Sequence, residues 1–170
     1  MIHVSSLSKL GDVAAALGSF DLLTLLSPSA AALDCGGLNP ERHLHLVFHD
    51  IVTPVPDLIA PDAAVMQAIL DFGRASTGAR PLLVHCWAGI SRSSAAAYAI
   101  ACDRNPGFEQ AIADELRRRS PVVTPNILMV RLADQALRRD GRMVAAIAGI
   151  GRGADAFEGA PYRLPLDWPN

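Results

Sequence analysis

Residues 81–103 read PLLVHCWAGISRSSAAAYAIACD, and the succession of residue types along them decides the fold. Pro81–Val84 is a short, wholly apolar run, the pattern of a strand buried on both faces of a parallel sheet. The run stops at His85-Cys86. The turn Trp87-Ala88-Gly89-Ile90-Ser91 follows, and Arg92–Asp103 reads as a helix that Asn105-Pro106-Gly107 ends. The junction between a strand's carboxyl end and a helix start is where open α/β sheets bind ligands.

The flanking sequence supplies the rest of such a sheet. Upstream, Ile2–Val4 is expected as a strand, Ser8–Leu17 as a helix, and the apolar run Phe20–Leu26 as a second strand bounded by Ser19 and Ser27-Pro28. Ser27–Pro40 reads as a short helical turn plus loop, Leu44–Phe48 as a strand, and Asp62–Arg74 as a helix with Pro61 and Asp62 at its start. Downstream, Phe108–Arg119 and Pro125–Arg139 are expected helices, the latter with Thr124 as N-cap. Met143–Ile150 suggests a last short helix, and residues 151–170 an irregular tail. Strands separated by helices of this length need parallel crossovers. The expected fold is therefore α/β, a central, largely parallel sheet flanked by helices, in one domain over residues 1–170.

The bulk properties agree. Hydrophobic residues make up 51% of the 170 and the formal net charge is −2. The run Arg117-Arg118-Arg119 reads as a solvated helix face, so neither charge nor pattern calls for a nucleic-acid surface. No apolar run is long enough to span a bilayer, and MIHVSSLSKLGD has no signal-peptide core. Cys35, Cys86 and Cys102 show no CxxC or metal-ligand spacing. A soluble protein of a reducing compartment, the cytoplasm, is the expectation. The oligomeric state is left open.

The turn after the strand carries the chemistry. Five residues separate Cys86 from Arg92, and a turn of this size can aim successive N–H groups inward as a nest for a tetrahedral anion. The helix behind it adds the positive end of its dipole and N–H groups with no intrahelical partner. Gly89 supplies a backbone conformation that other residues resist. Arg92 closes the cradle with a planar fork for two oxygens at once. A helix amino terminus and a nearby cation favour thiolate over thiol, which makes Cys86 the expected nucleophile. His85 is expected to be buried and to donate a hydrogen bond into the loop backbone. Ser93 is placed to donate to the sulfur as it leaves.

HCWAGISRS (His85–Ser93) resembles the HCX5R(S/T) signature of the cysteine-based protein tyrosine phosphatases and dual-specificity phosphatases. The segment SPVVTPN (Ser120–Asn126) ahead of a helix is similar to a helix start of the dual-specificity enzymes. The resemblance spans roughly Leu44–Leu137. It implies a cysteinyl-phosphate mechanism that uses Cys86, Arg92, Ser93 and His85 and needs no cofactor or metal. Trp87, Ala88, Gly89, Ile90, Ser91 and Arg92 would then bind the phosphate. The loop has no lysine and no second arginine, which argues for a singly phosphorylated substrate such as phosphotyrosine, in a protein or as a small aryl phosphate.

The family also uses an aspartate to protonate the leaving oxygen. Asp50, Asp57 and Asp62 are the candidates. Asp50 directly follows the strand end and resembles the dual-specificity acid; Asp57 lies in the proline-rich loop; Asp62 suits a helix start. His49 reads as an exposed loop residue, and His43 and His45 as structural. Cys102 and Cys35 read as packing residues, with Cys35 the better placed of the two to be a redox partner. Two rival functions stand beside phosphatase. One is a phosphate-binding pseudophosphatase. The other is a rhodanese-like sulfurtransferase, whose loop usually lacks the HCxxGxxR(S/T) arrangement.

Overall fold

The computed structural model describes residues 1–31 and 37–168. Cys35 lies outside the described residues, as does part of the loop expected over Ser27–Pro40. Four parallel strands form the sheet: β1 (Ile2–Ser6), β2 (Asp21–Leu26), β3 (Arg42–Val47) and β4 (Leu82–Cys86). A fifth, β5 (Tyr162–Leu164), is antiparallel, and the order is β3-β2-β4-β1-β5. The strand that ends in Cys86 is thus central, paired in parallel with β1 through Ser6↔Cys86 and with β2 through Thr24↔His85.

β5 corrects the expectation of an irregular tail over residues 151–170. Tyr162 and Leu164 are buried and Arg163 is exposed. That is an alternating pattern, but three residues between Pro161 and Pro165 are too short to register as a strand by periodicity. The edge strand β3 alternates half-buried and exposed positions, while all of β2 and β4 is buried.

The helices are α1 (Leu10–Leu17), α2 (Pro28–Ala31), α3 (Ala63–Arg74), α4 (Arg92–Arg104), α5 (Glu109–Arg119), α6 (Ile127–Leu137) and α7 (Arg142–Ile150). Leu10 and Ala14 of α1 cover one face of the sheet, against Phe20, Leu22 and Leu83. The opposite face, with Ile2, Val4, Leu23, Leu25, Val84 and Cys86, packs against α3 to α7. At the centre of that layer, α4 is buried from Arg92 through Cys102. A helix that is apolar all round, rich in alanine, suits a position enclosed by other helices. Gly73 of α3 meets it so closely that a Cβ there would lie 2.8 Å from the Ile100 side chain.

Two helix starts are set by side chains. Asp62 is the N-cap of α3, its Oδ1 accepting from Val65 N at 2.8 Å. At α6 the cap is Asn126 rather than Thr124, with Asn126 Oδ1 accepting from Met129 N at 3.0 Å. Thr124 Oγ1 accepts instead from Gly153 N, at 3.1 Å. No helix among the described residues is long and apolar enough to cross a membrane.

Candidate active site

The loop between β4 and α4 is held from outside by its carbonyls. Trp87 O accepts from Leu7 N (3.1 Å), Ala88 O from Gly159 N (2.9 Å), Ile90 O from Thr124 N (3.2 Å) and Ser91 O from Asn126 N (3.3 Å). A trans peptide is planar, so each outward C=O turns the next residue's N–H the opposite way. The N–H groups of Ala88, Gly89, Ser91 and Arg92 therefore face inward. Among the described residues, none of the N–H groups from Trp87 to Ser91 donates to a backbone or side-chain acceptor outside regular elements. Gly89 has φ +71, and a Cβ there would lie 2.8 Å from Ser6 N. Both the angle and the close backbone approach exclude a side chain.

Cys86 sits at the floor, 2% exposed, with its Sγ 3.1 Å from Ser93 Oγ in the first turn of α4. Arg92, buried, is anchored at one end of its fork: Nη1 donates to Phe48 O (2.8 Å) and to Ser27 Oγ (3.1 Å). Among the described residues its Nε has no hydrogen-bond partner, and it lies 4.0 Å from Asp50 Oδ2. The guanidinium is thus fixed by the ends of β2 and β3 while part of it stays free.

The carboxylate of Asp50 is tied at one oxygen. Oδ1 accepts from Ser91 Oγ and from Asn126 Nδ2, each at 2.7 Å, leaving Oδ2 toward Arg92. Asn126 also donates to Ile51 O at 3.2 Å, so one side chain caps α6 and fixes the turn that carries Asp50. The loop beyond is closed by His49, whose N donates to Ile59 O (2.7 Å) and whose Nδ1 accepts from Ile59 N (2.9 Å). A cavity of about 560 Å³ is lined by Cys86, Arg92, Asp50 and Ser91, with Trp87 and Phe157 at its mouth. Asp57 does not line it, and Asp62 is occupied at the start of α3.

His85 is buried, but its side chain takes the face opposite to Cys86, as alternation along β4 requires. Its Nε2 is 2.8 Å from Thr24 Oγ1, which is in turn 2.9 Å from His43 Nε2. Nε2 is thereby held in a strand-to-strand chain. The ring also meets the Cys86 backbone, which favours its protonated form, although Nδ1 makes no well-aligned hydrogen bond among the described residues. Burial, followed by His43, pushes the His85 pKa down to about 4. The imidazole is neutral at neutral pH. Cys102, in the core of α4, has its thiol pushed up to about 12 by burial.

The structure brings Cys86, Arg92 and Asp50 to one cavity, with Ser93 buried behind Cys86 at 3.1 Å from its sulfur. Sequence reasoning missed Asn126, Ser27 and the Phe48 carbonyl, which position Asp50 and Arg92. Only the motif SPVVTPN pointed toward Asn126, and it marked a helix start rather than a contact with Asp50. No group of three His, Cys, Asp or Glu among the described residues could hold a metal ion.

No family model and no curated protein matches the chain. Its α/β fold is similar to that of solved phosphatase structures. Among solved structures it is similar to Tk-PTP in the active form, with TM-score 0.53 and 20% identity, covering 79% of this chain and 88% of that one. It is also similar to DUSP15, with TM-score 0.53 and 13% identity, covering 88% of this chain and 89% of that one. At such identities the likeness is one of fold, and the chemistry rests on the residues above.

Proposed function

We propose that this protein hydrolyses phosphate monoesters, phosphotyrosine foremost, through a cysteinyl-phosphate on Cys86. One observation carries the reading. The four outward carbonyls around the loop turn a ring of N–H donors toward the space above Cys86 Sγ, beside the fork of Arg92. A phosphoryl group held there has its oxygens on the loop N–H groups and on Arg92. The sulfur attacks phosphorus in line, and the ester oxygen departs with the proton held at Asp50 Oδ2. Water then attacks phosphorus, giving its proton to Asp50. The P–S bond breaks as Ser93 Oγ, 3.1 Å away, donates to the departing sulfur.

Arg92 is the one cation among the described residues lining the cavity, which favours a single phosphate over a polyphosphate. The substrate is a phosphorylated protein or a small aryl phosphate. A free thiol as nucleophile fits a reducing compartment such as the cytoplasm. In this reading His85, a buried and neutral residue of the nucleophile strand, steadies Cys86 through its bond to Thr24 and its meeting with the Cys86 backbone.

The test is phosphate release from a phosphotyrosine peptide and from an activated aryl phosphate, by the wild type and by Cys86→Ser. Turnover should vanish in Cys86→Ser while vanadate binding persists. Activity in that variant within about tenfold of wild type contradicts the nucleophile. Vanadate binding with no turnover in the wild type would make the protein a pseudophosphatase. Sulfur transfer from thiosulfate would make it a sulfurtransferase.

A further inference from the structure

A row of polar side chains crosses the sheet on the face away from Cys86. Ser5 of β1 stands beside His85, His85 beside Thr24 of β2, and Thr24 beside His45 of β3. Directly opposed residues of neighbouring strands share a face, and residues two apart on one strand do as well. His43 therefore belongs to the same row. Ser5, Thr24 and His85 are buried, whereas His43 and His45 are exposed at the sheet edge with their rings stacked, centroids 6.0 Å apart.

The row is joined at its centre. Thr24 Oγ1 lies 2.8 Å from His85 Nε2 and 2.9 Å from His43 Nε2. A hydroxyl has one proton to give, so between two rings it donates to one and accepts from the other. Two arrangements satisfy both contacts. In the first, His43 donates to Thr24 and Thr24 donates to His85 Nε2, which leaves the proton of a neutral His85 on Nδ1. In the second every bond is reversed, and His85 carries its proton on Nε2. A protonated His43 has no lone pair on Nε2 and permits only the first. One proton then enters from solvent and resides on His43; His85 keeps a single proton and changes only which nitrogen holds it. Burial, followed by His43, keeps His85 neutral, with its pKa at about 4. The nitrogen that gains the proton is Nδ1, the buried atom without a well-aligned partner, on the ring that meets the Cys86 backbone.

Among the described residues the other charges near this pair are few. His45 lowers the pKa of His43, after burial, and His45 and Arg92 of α4 act on His85. His3 of β1 shares the face, two residues before Ser5. Asp21 of β2 and Arg42 of β3 take the opposite face, where they pair with each other. Lys9 and Asp12, at the start of α1, are exposed, and α2 carries no charge.

We propose that Thr24 is a positioning residue that sets the tautomer of His85, and that proton uptake by His43 at the sheet edge fixes the form with Nδ1–H at the Cys86 backbone. The inference rests on the phosphatase reading for its consequence, because Cys86 is the nucleophile there. A donor at the Cys86 peptide steadies the link from which the N–H ring starts.

The experiment labels the histidines of the full chain and reads their ring nitrogens by proton–nitrogen NMR from about pH 8 to about pH 5, the range in which histidine titrates. His85 should stay neutral and move toward the Nδ1–H form with the same midpoint as His43. Thr24→Val, which keeps the shape and removes the hydroxyl, should leave His85 indifferent to that midpoint, and Thr24→Ser should restore the coupling. His43→Gln, at the exposed edge, should also abolish the shift, and it carries the test if Thr24→Val does not fold. In the same samples, alkylation of Cys86 by iodoacetamide, followed by mass spectrometry, should change about threefold more across the midpoint in wild type than in Thr24→Val, the small end of what one hydrogen bond contributes. A His85 tautomer that stays constant while His43 titrates, or that follows His43 equally well in Thr24→Val, would overturn the inference. Coupled tautomers with equal alkylation would overturn the role of Thr24 at Cys86. Neither readout needs turnover, so coupling in a chain that hydrolyses no phosphate ester would sustain this inference and overturn the phosphatase reading alone.

Discussion

Replacing Asp50 with asparagine should remove one proton and little else. Asp50 Oδ1 accepts from Ser91 Oγ and Asn126 Nδ2, each at 2.7 Å, and an asparagine oxygen can accept the same two bonds. The turn stays in place, and the atom lost is Oδ2, which lies 4.0 Å from Arg92 Nε and is the one left to hold a proton. A positioned acid contributes about 10²–10⁴ in rate, and the lower end fits a side chain 35% exposed, where water can partly substitute. A hundredfold loss is about 2.7 kcal/mol of barrier. That loss should appear with phosphotyrosine, whose phenol has an unperturbed pKa near 10, and shrink to within about fivefold for a strongly acidic phenol that leaves unaided. The assay is kcat/KM over a series of aryl phosphates of graded leaving-group pKa, for wild type, Asp50→Asn and Asp57→Asn. Asp57→Asn should follow the wild-type line. If Asp57→Asn has the steeper slope, the acid belongs to the proline-rich loop. If Asp50→Asn loses the same factor on every substrate, Asp50 positions the loop and does not supply the proton.

Three other outcomes follow from the geometry. Arg92→Lys removes the fork that reaches Phe48 O and Ser27 Oγ while leaving a nitrogen free, so kcat should drop about 10²-fold or more in a folded protein; a kcat near wild type would mean that the N–H ring suffices. Ser93→Ala deletes the donor 3.1 Å from Cys86 Sγ, so the second step should slow, with a burst of phenol followed by slow phosphate release; equal slowing of the burst would place Ser93 in the first step. His85 has a folded pKa of about 4 against 6.5 unfolded, so the unfolded chain takes up its proton first as pH falls. Its contribution costs about 3 kcal/mol in total between pH 6.5 and 4, and urea titrations of His85→Gln should show a flatter acid limb over that window; an unchanged slope would remove His85 as the cause.

The centre of the molecule was legible because it obeys one rule at a time. PLLV is apolar without interruption, and β4 is buried on both faces; the residues from Arg92 onward are helical and α4 is their helix. The spacing from Cys86 to Arg92 requires a turn of fixed size, and the loop has it. What stayed hidden depends on distant residues. Asn126 meets Asp50 across 76 positions of chain, and Ser27 meets Arg92 across 65. No local pattern encodes such meetings; the parallel crossovers do, by delivering the ends of β2, β3 and β4 to the same edge. The direction of His85 was accessible through strand alternation, since a side chain adjacent to Cys86 must take the other face. β5 was hidden by its length, and the N-cap of α6 by competition between two capable residues, Thr124 and Asn126.

The loop between β4 and α4 touches three widely separated parts of the polypeptide: Gly89 packs on Ser5 and Ser6, Ile90 and Ser91 hold Thr124 and Asn126, and Ala88 holds Gly159. During synthesis Cys86 and Arg92 therefore emerge long before the segment that braces them from outside. A nascent chain that ends before residue 159 has made Cys86 but lacks the backbone donor that fixes the Ala88 carbonyl. Closing so long a loop is an entropically late event. On the ribosome, the bracing of this loop trails the emergence of Cys86 by the 73 positions that separate it from Gly159.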